Sequence, residues 1–223
     1  AFVRNTLQDK PDMNILVLDS LTYAGKLTNL EPVSDLNNFQ LKKIDICDHD
    51  NLREATLSFN PDLIINFAAE SHVDRSIDNP QVFLNTNIIG TYNLLQVSRE
   101  IHENNSKFRF HHISTDEVFG ELGNEGQFTE NTNYAPNSPY SASKASSDHL
   151  VRAWARTYEL PMVITNCSNN YGPFQNDEKL IPTIIKNALN HKNIPIYGDG
   201  CQIRDWLYVQ DHVVALHKVL TEG

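Results

Sequence analysis

The sequence predicts an α/β fold: a parallel sheet with helices on both faces. Short β-rich apolar runs alternate along the chain with longer helical patterns, which is the signature of that class. The strand runs are near-continuously apolar, as strands buried on both faces require. Polar clusters recur just after these runs, at the edge where open α/β sheets bind ligands. The chain has 223 residues, 40% hydrophobic and 21% charged, so it can fill such a core and does not read as disordered.

The elements follow in order. "NILVLD" (14–19) is a strand that ends in Asp19. "FQLKKIDI" (39–46) is a weaker strand, and 49–59 carries a helical pattern. "DLIINFAA" (62–69) is a strand running into the polar cluster "AAESHVD" (68–74). A long helical stretch covers about 80–104. "FRFHHIS" (108–114) is a strand followed by "STDE", and a helix over 139–158 starts at Pro139. "PMVITN" (161–166) is the next strand, with "CSNNYG" (167–172) after it and a helix over 178–190. "VVALHKVLTEG" ends the chain in a helix and its exit turn. No internal repeat or low-complexity tract interrupts the pattern. One Ser/Asp/Asn cluster after a strand is an ordinary turn. Four on one sheet edge point to a ligand crevice.

Composition narrows the partners. The net charge of −10 argues against nucleic acid or an anionic membrane as the main partner. It leaves room for an anionic small ligand, which helix N-termini and a few Arg or Lys can hold. Cys47, Cys167 and Cys201 show no CxxC or zinc-finger spacing, so no metal site and no disulfide framework is expected. Free thiols suit a cytoplasmic setting. No apolar run approaches the ~20 residues of a membrane span, and no signal peptide is visible in these residues.

"PYSASKASSDHL" (139–150) holds Tyr140 and Lys144, four apart and so on one helix face. A phenol ordinarily ionises near pH ~10, so it is a poor base at neutral pH. A neighbouring ammonium favours phenolate, which makes the pair a candidate general base for an alcohol proton. Tyr–Lys pairs at this spacing are also common on helix surfaces. Thr115, upstream at a strand end, adds a hydroxyl that makes a catalytic reading more specific.

Thr115, Tyr140 and Lys144 resemble the triad of the extended short-chain dehydrogenases/reductases. Longer strings narrow this: "LDSLTYAGKLTNL", "AAESHVDRSI", "HHISTDEVFGE", "APNSPYSASKASSDHLVRAW" and "PIYGDGCQIRDWLYVQDH" are similar to the dTDP-glucose 4,6-dehydratases, in order and across essentially the whole chain. The resemblance implies a Rossmann-like sheet, NAD as cofactor and dTDP-glucose as substrate. It implies that Tyr140 takes the 4-hydroxyl proton, Thr115 binds the same oxygen, and Lys144 holds Tyr140 and the nicotinamide ribose. Glu117 would remove the C5 proton and Asp116 would protonate the departing C6 hydroxyl. Adjacent carboxylates in different environments can divide those roles. The related 4-epimerases need no elimination, so the acidic pair favours a dehydratase over an epimerase or decarboxylase.

The same resemblance assigns further contacts. Asp19 would accept hydrogen bonds from the adenosine ribose, with Thr22, Asp45 and Ile46 nearby. Ala68, Ala69, Ser71, Thr86 and Asn170 would line the nicotinamide half. Ser71, Thr115, Asn169, Lys179, Leu180, Pro195, Tyr197 and Arg204 would bind the nucleotide-sugar, the guanidinium of Arg204 suiting a diphosphate. His111, His112 and His149 read as structural, and His72 stands apart from them because it lies in the ligand-edge cluster. The long helices 80–104 and 139–158 would form a four-helix bundle across a homodimer, or cover the sheet of a monomer.

The chain departs from the family pattern at its ends. The Gly-rich phosphate turn should precede the ribose acid by about 20 residues, which places it before Ala1. Residues 1–175 are expected to form the NAD-binding domain without its first strand, and 176–223 to begin the substrate-binding region and return to the Rossmann-like part. The expectation is a piece of a longer protein, with exposed strand edges and weak NAD binding on its own. A non-catalytic nucleotide-sugar binding module is the alternative from another functional class.

Overall fold

The computed structural model describes residues 1–123, 125–196 and 198–223. The strands are β1 (Ile15–Asp19), β2 (Phe39–Lys43), β3 (Leu63–Asn66), β4 (Arg109–Thr115), β5 (Met162–Cys167), β6 (Asn169–Tyr171) and β7 (Trp206–Tyr208). The α-helices are α1 (Phe2–Asp9), α2 (His49–Phe59), α3 (Val73–Asp78), α4 (Pro80–Phe83), α5 (Thr91–Asn104), α6 (Pro139–Tyr158), α7 (Leu180–Leu189) and α8 (Val209–Glu222). Two compact units emerge. One holds 16–20 and 40–167; the other holds 1–15, 21–39 and 168–223.

The first unit is built on the parallel sheet β3–β4–β5. The central strand β4 pairs Phe110 with Ile64 on one side and Met162 on the other. Phe108, Phe110, Leu52, Leu95 and Val151 are fully buried and make the centre of one apolar cluster. Helix α5 adds Leu94, Val97 and Ile101 to it, burying its apolar stripe there.

Local chemistry sets the helix limits. The Asp48 carboxylate accepts from Asn51 N–H and caps α2, and Asn60 ends it in the left-handed region at φ 51°. Ser138 and Ser141 exchange side-chain bonds with each other's backbone N–H in a capping box at the start of α6. Pro139 occupies the first turn, and Glu159 at φ 55° ends the helix.

The parallel α/β architecture is the one expected, with two differences. The sheet is not continuous: β1–β2, β3–β4–β5 and β6–β7 are separate. Among the described residues β1 bonds only to β2, and β3 only to β4. Their residues are accordingly mostly half-buried, whereas five of the seven in β4 are buried. The helix expected over 80–104 is α4, a π-helical segment Leu84–Gly90 and α5 in unbroken succession.

In the second unit, "CSNNYG" is more than a turn. Asn169–Tyr171 forms β6, paired in parallel with β7 through Asn169↔Trp206 and Tyr171↔Tyr208. Gly172 follows at φ 147°, where a Cβ would stand 2.5 Å from Val209 Cγ1. Helices α1 and α8 meet through Thr6 Oγ1 and His217 Nε2, 2.8 Å apart.

Candidate active site

Helix α6 turns Tyr140, Lys144 and Asp148 onto one face, and all three are buried. Strand β4 delivers Thr115 as its last residue, and Asp116 and Glu117 open the 3-10 turn Asp116–Phe119. The turn ends at Gly120 with φ 86°, where a Cβ would lie 2.4 Å from the Ala135 carbonyl oxygen, so only glycine fits. Phe119 is anchored on Phe128 and Tyr134, with ring centroids 5.2 and 5.3 Å away.

The Thr115 hydroxyl is the hub. It hydrogen-bonds the Tyr140 phenol, donates to Asp116 Oδ1 at 3.2 Å and accepts from Glu117 N–H at 3.2 Å. Burial pushes the Tyr140 phenol well above its ordinary range, and the Glu117 charge pushes it further. Thr115 opposes that shift, while Cys167 and Asp116 add to it. Burial draws the Lys144 amine down to about 8, against the pull of Asp148 and Cys167.

This corrects one expectation. Lys144 was expected to favour phenolate at Tyr140, yet the phenol is shifted toward its neutral form. The physical reason is where the amine points. Nζ donates to the Ile113 carbonyl at 2.8 Å and lies 3.4 Å from His112 Nε2, back along β4. The acidic neighbours of Tyr140 therefore dominate its surroundings.

A second clamp comes from the π-helical segment. Asn87, 1% exposed, accepts from Glu70 N–H at 2.8 Å and donates to the Glu70 carbonyl at 3.0 Å and to Ser143 Oγ at 2.8 Å. Ser143 donates in turn to the Tyr140 carbonyl at 2.7 Å. A single amide thus ties the loop after β3 to the helical turn that carries Tyr140. π-Helical turns recur at functional sites.

The remaining residues singled out in the sequence divide between the two units. With the Tyr140 group lie Asp19, exposed at the end of β1, the half-buried Ala68 and Ala69, and the exposed Ser71. Asp45 Oδ1 accepts from Cys47 N–H at 2.8 Å. Ile46 is buried and its carbonyl accepts from Asn93 at 2.9 Å, while Thr86 hydrogen-bonds the Cys47 thiol. The other unit holds Thr22, Asn169, Asn170, Lys179, Leu180, Pro195 and Arg204. There Asn170 Oδ1 meets His212 Nδ1 at 2.8 Å, and the exposed Arg204 donates to its neighbour Ile203 O at 2.8 Å. Tyr197 lies outside the described residues. An open, mainly apolar cavity of about 620 Å³ runs along α7 beside Tyr171 and Phe174, and none of the expected substrate residues among the described ones lines it. Among the described residues no His/Cys/Asp/Glu group is arranged for a metal, and no helix is long and apolar enough to cross a membrane.

Sequence reasoning did not single out Asn87, Tyr134 or Asp148, and treated His112 as structural. Only Asp148 had a readable signal, its i+4 spacing from Lys144 in "KASSD".

The family model described as GDP-mannose 4,6 dehydratase matches residues 2–223. The dTDP-glucose 4,6-dehydratase of Salmonella typhimurium is 53% identical over 237 residues, covering all of this chain and 65% of the relative. That of Neisseria meningitidis serogroup B is 54% identical over 229 residues, covering all of this chain and 64% of the relative. The crystal structure of DesIV, a dTDP-glucose 4,6-dehydratase from Streptomyces venezuelae with NAD and TYD bound, superposes with a TM-score of 0.93 at 45% identity, covering all of this chain and 68% of that one. The chain thus spans about two thirds of the length of the relatives it matches.

Proposed function

The chain belongs to the GDP-mannose 4,6 dehydratase family, and from that premise we propose that it carries the catalytic residues of an NAD-dependent dTDP-glucose 4,6-dehydratase. The observation that carries this reading is the hydrogen-bonded set Thr115, Asp116, Glu117 and Tyr140 at the end of β4. Eliminating water needs an acid and a base beside the group that handles the alcohol proton. An epimerase needs only the last of these.

The described residues fit the cofactor. An exposed carboxylate at a strand end, Asp19, suits a ribose diol and repels a 2′-phosphate. Small Ala68 and Ala69 allow close approach, and His72 Nδ1 beside them is a buried atom with no hydrogen-bond partner. Asp19, Asp45, Ile46, Ala68, Ala69, Ser71 and Thr86 would hold NAD, together with Tyr140, Lys144, Thr22 and Asn170. When bound, it supplies a hydride acceptor for sugar carbon 4 and a donor for carbon 6.

The chain's own residues then move the protons. Tyr140 takes the proton of the 4-hydroxyl, and Thr115 bonds the same oxygen. The 4-ketone acidifies the C5 hydrogen, which Glu117 removes. Asp116 gives a proton to the C6 hydroxyl, which leaves as water. Ser71, Thr115, Asn169, Lys179, Leu180, Pro195, Tyr197 and Arg204 would bind the dTDP-sugar, with Arg204 on the diphosphate. Residues 1–175 would serve the cofactor, and 176–223 the start of the substrate region and the return to the Rossmann-like part.

The setting follows from the same reading. The product, a 4-keto-6-deoxy sugar nucleotide, feeds deoxysugar synthesis such as that of rhamnose, in the cytoplasm. A homodimer through a four-helix bundle is supported by Ile89, Tyr92 and Tyr158, large side chains 38–49% exposed along the long helices. The test is the product mass after incubating the protein with NAD and dTDP-glucose. Loss of one water with no net NADH supports the dehydratase. Epimerised sugar of unchanged mass overturns it.

A further inference from the structure

Lys144 is 4% exposed, and a buried ammonium needs an opposite charge. Its direct contacts supply none. The Ile113 carbonyl accepts from Nζ at 2.8 Å, and His112 Nε2 stands 3.4 Å away. One helical turn on, Asp148 is fully buried on the same face. Its Oδ2 accepts from Ser114 at 2.7 Å and Tyr134 at 2.9 Å. Its Oδ1 is 3.3 Å from His112 Nε2 and favours the protonated imidazole.

The network assigns the imidazole tautomer. Asn66 Oδ1 accepts from Ala68 N–H at 3.1 Å, which turns its Nδ2 toward His112 Nδ1 at 3.2 Å. Nδ1 therefore accepts and Nε2 carries the hydrogen. That hydrogen faces Ser147 Oγ at 3.2 Å, whose own proton goes to the Lys144 carbonyl at 2.8 Å. Burial and the Lys144 charge push the imidazole down to about 4, so the ring is neutral near neutral pH. A neutral imidazole thus stands between a buried cation and a buried carboxylate.

We propose that Asp148 is a positioning residue for the Tyr140–Lys144 pair: its charge, acting across neutral His112, keeps Lys144 cationic inside the protein. The titratable groups that act on Lys144 are Asp148 from α6, His112 from β4 and Cys167 from β5. From the neighbouring helical segments the neutral Asn87 and Thr91 join this buried network. Facing Asp148 are His112, Ser114 and Tyr134, with Arg152 behind Tyr134 at 3.4 Å. Burial lowers the Lys144 amine to about 8, and Asp148 is the largest influence against that fall. Without the carboxylate the amine falls further, and the lysine loses its charge near neutral pH.

The catalytic consequence rests on the dehydratase reading; the charge state does not. The direct test is a pH titration of the Lys144 Nζ and Cε resonances in isotopically labelled full chain, assigned by their loss in Lys144→Arg. In Asp148→Asn the midpoint should drop by about one pH unit or more, a ten-fold loss of proton affinity. In Tyr134→Phe the carboxylate loses a donor dipole and its field at Lys144 grows, so the midpoint should rise by a few tenths. A wild-type midpoint retained in Asp148→Asn, or the same direction in both variants, overturns the proposal. If Asp148→Asn does not fold, Tyr134→Phe decides alone: a rise supports the proposal, and no change or a fall overturns it. In turnover assays Asp148→Asn should lower kcat near neutral pH with KM kept, and move the basic limb of the pH profile to lower pH. Lysine shifts as described in a protein that leaves dTDP-glucose unchanged would overturn the dehydratase reading and uphold this one.

Discussion

Asn87→Ala is the most informative single perturbation of the site's scaffold. Asn87 makes three hydrogen bonds, to Glu70 N–H, the Glu70 carbonyl and Ser143 Oγ. Ser143 keeps its bond to the Tyr140 carbonyl, so the loss falls on the two Glu70 backbone groups. An unsatisfied buried group costs about 1–3 kcal/mol, and the lower end applies because Glu70 is only half-buried. With the small volume lost, the expected destabilisation is roughly 2–3 kcal/mol. Asn87→Asp sharpens the test. It keeps the acceptor for Glu70 N–H but sets a buried charge against the Glu70 carbonyl, at a cost of about 3–5 kcal/mol. That carboxyl has a folded-state pKa raised above its unfolded value of about 3.9. Its stability is therefore greatest at low pH and is lost as pH rises through the folded value. Urea unfolding followed by circular dichroism, at neutral and acid pH, measures both variants. A loss under about 0.5 kcal/mol for Asn87→Ala, within the range of a neutral surface change, would refute the clamp. So would an Asp variant with the same pH dependence as the Ala variant.

Three further changes probe the turn and the helix that hold the site. Ser138→Ala removes the hydroxyl that accepts from Ser141 N–H at the start of α6 and should cost about 1 kcal/mol, read from the shift in urea midpoint. Gly120→Ala forces a side chain into φ 86° and against the Ala135 carbonyl, so a thermal melt should show a loss of roughly 1–3 kcal/mol. Glu117→Gln removes the charge that, after burial, most disfavours phenolate at Tyr140. The Tyr140 phenol should then ionise at lower pH, followed by ultraviolet phenolate absorbance against a Tyr140→Phe blank; an unchanged midpoint would contradict the electrostatic account.

Legibility in the sequence followed how local the signal was. Helices 49–59 and 139–158 appear with the bounds read from the sequence, because caps at Asp48 and Ser138 and the apolar spacing are short-range features. The π-helical segment was invisible, since it depends on Asn87 reaching Glu70 and Ser143, which are far apart in sequence. The separation of the sheet into three was equally hidden, because an apolar run does not say how many neighbours it pairs with. At the site, Thr115 beside Tyr140 could be anticipated from spacing and resemblance. His112 and Asn66 could not, because a polar letter does not reveal that its residue is almost fully buried, and Asp148 left only its i+4 spacing from Lys144.

The resting electrostatics of the site carry a consequence for how Tyr140 works. A group proposed to act as a base is held protonated by burial and by three acidic neighbours, Glu117, Cys167 and Asp116. Thr115 alone opposes them directly, and Lys144 spends its hydrogen bond on the Ile113 carbonyl. A free phenolate would therefore be scarce in the chain by itself. Base strength must come from positive charge brought to the phenol or from a change in the carboxylates around it. A cationic nicotinamide ring would supply the first, and a proton on Glu117 the second. The first would couple deprotonation of Tyr140 to cofactor arrival, and the second to the protonation state of Glu117. The coupling predicts that a redox-inactive analogue of oxidised NAD should lower the pH at which Tyr140 ionises, while an uncharged reduced analogue should leave it high. If both analogues left the phenolate absorbance unchanged while binding, the coupling of Tyr140 ionisation to cofactor charge would fail.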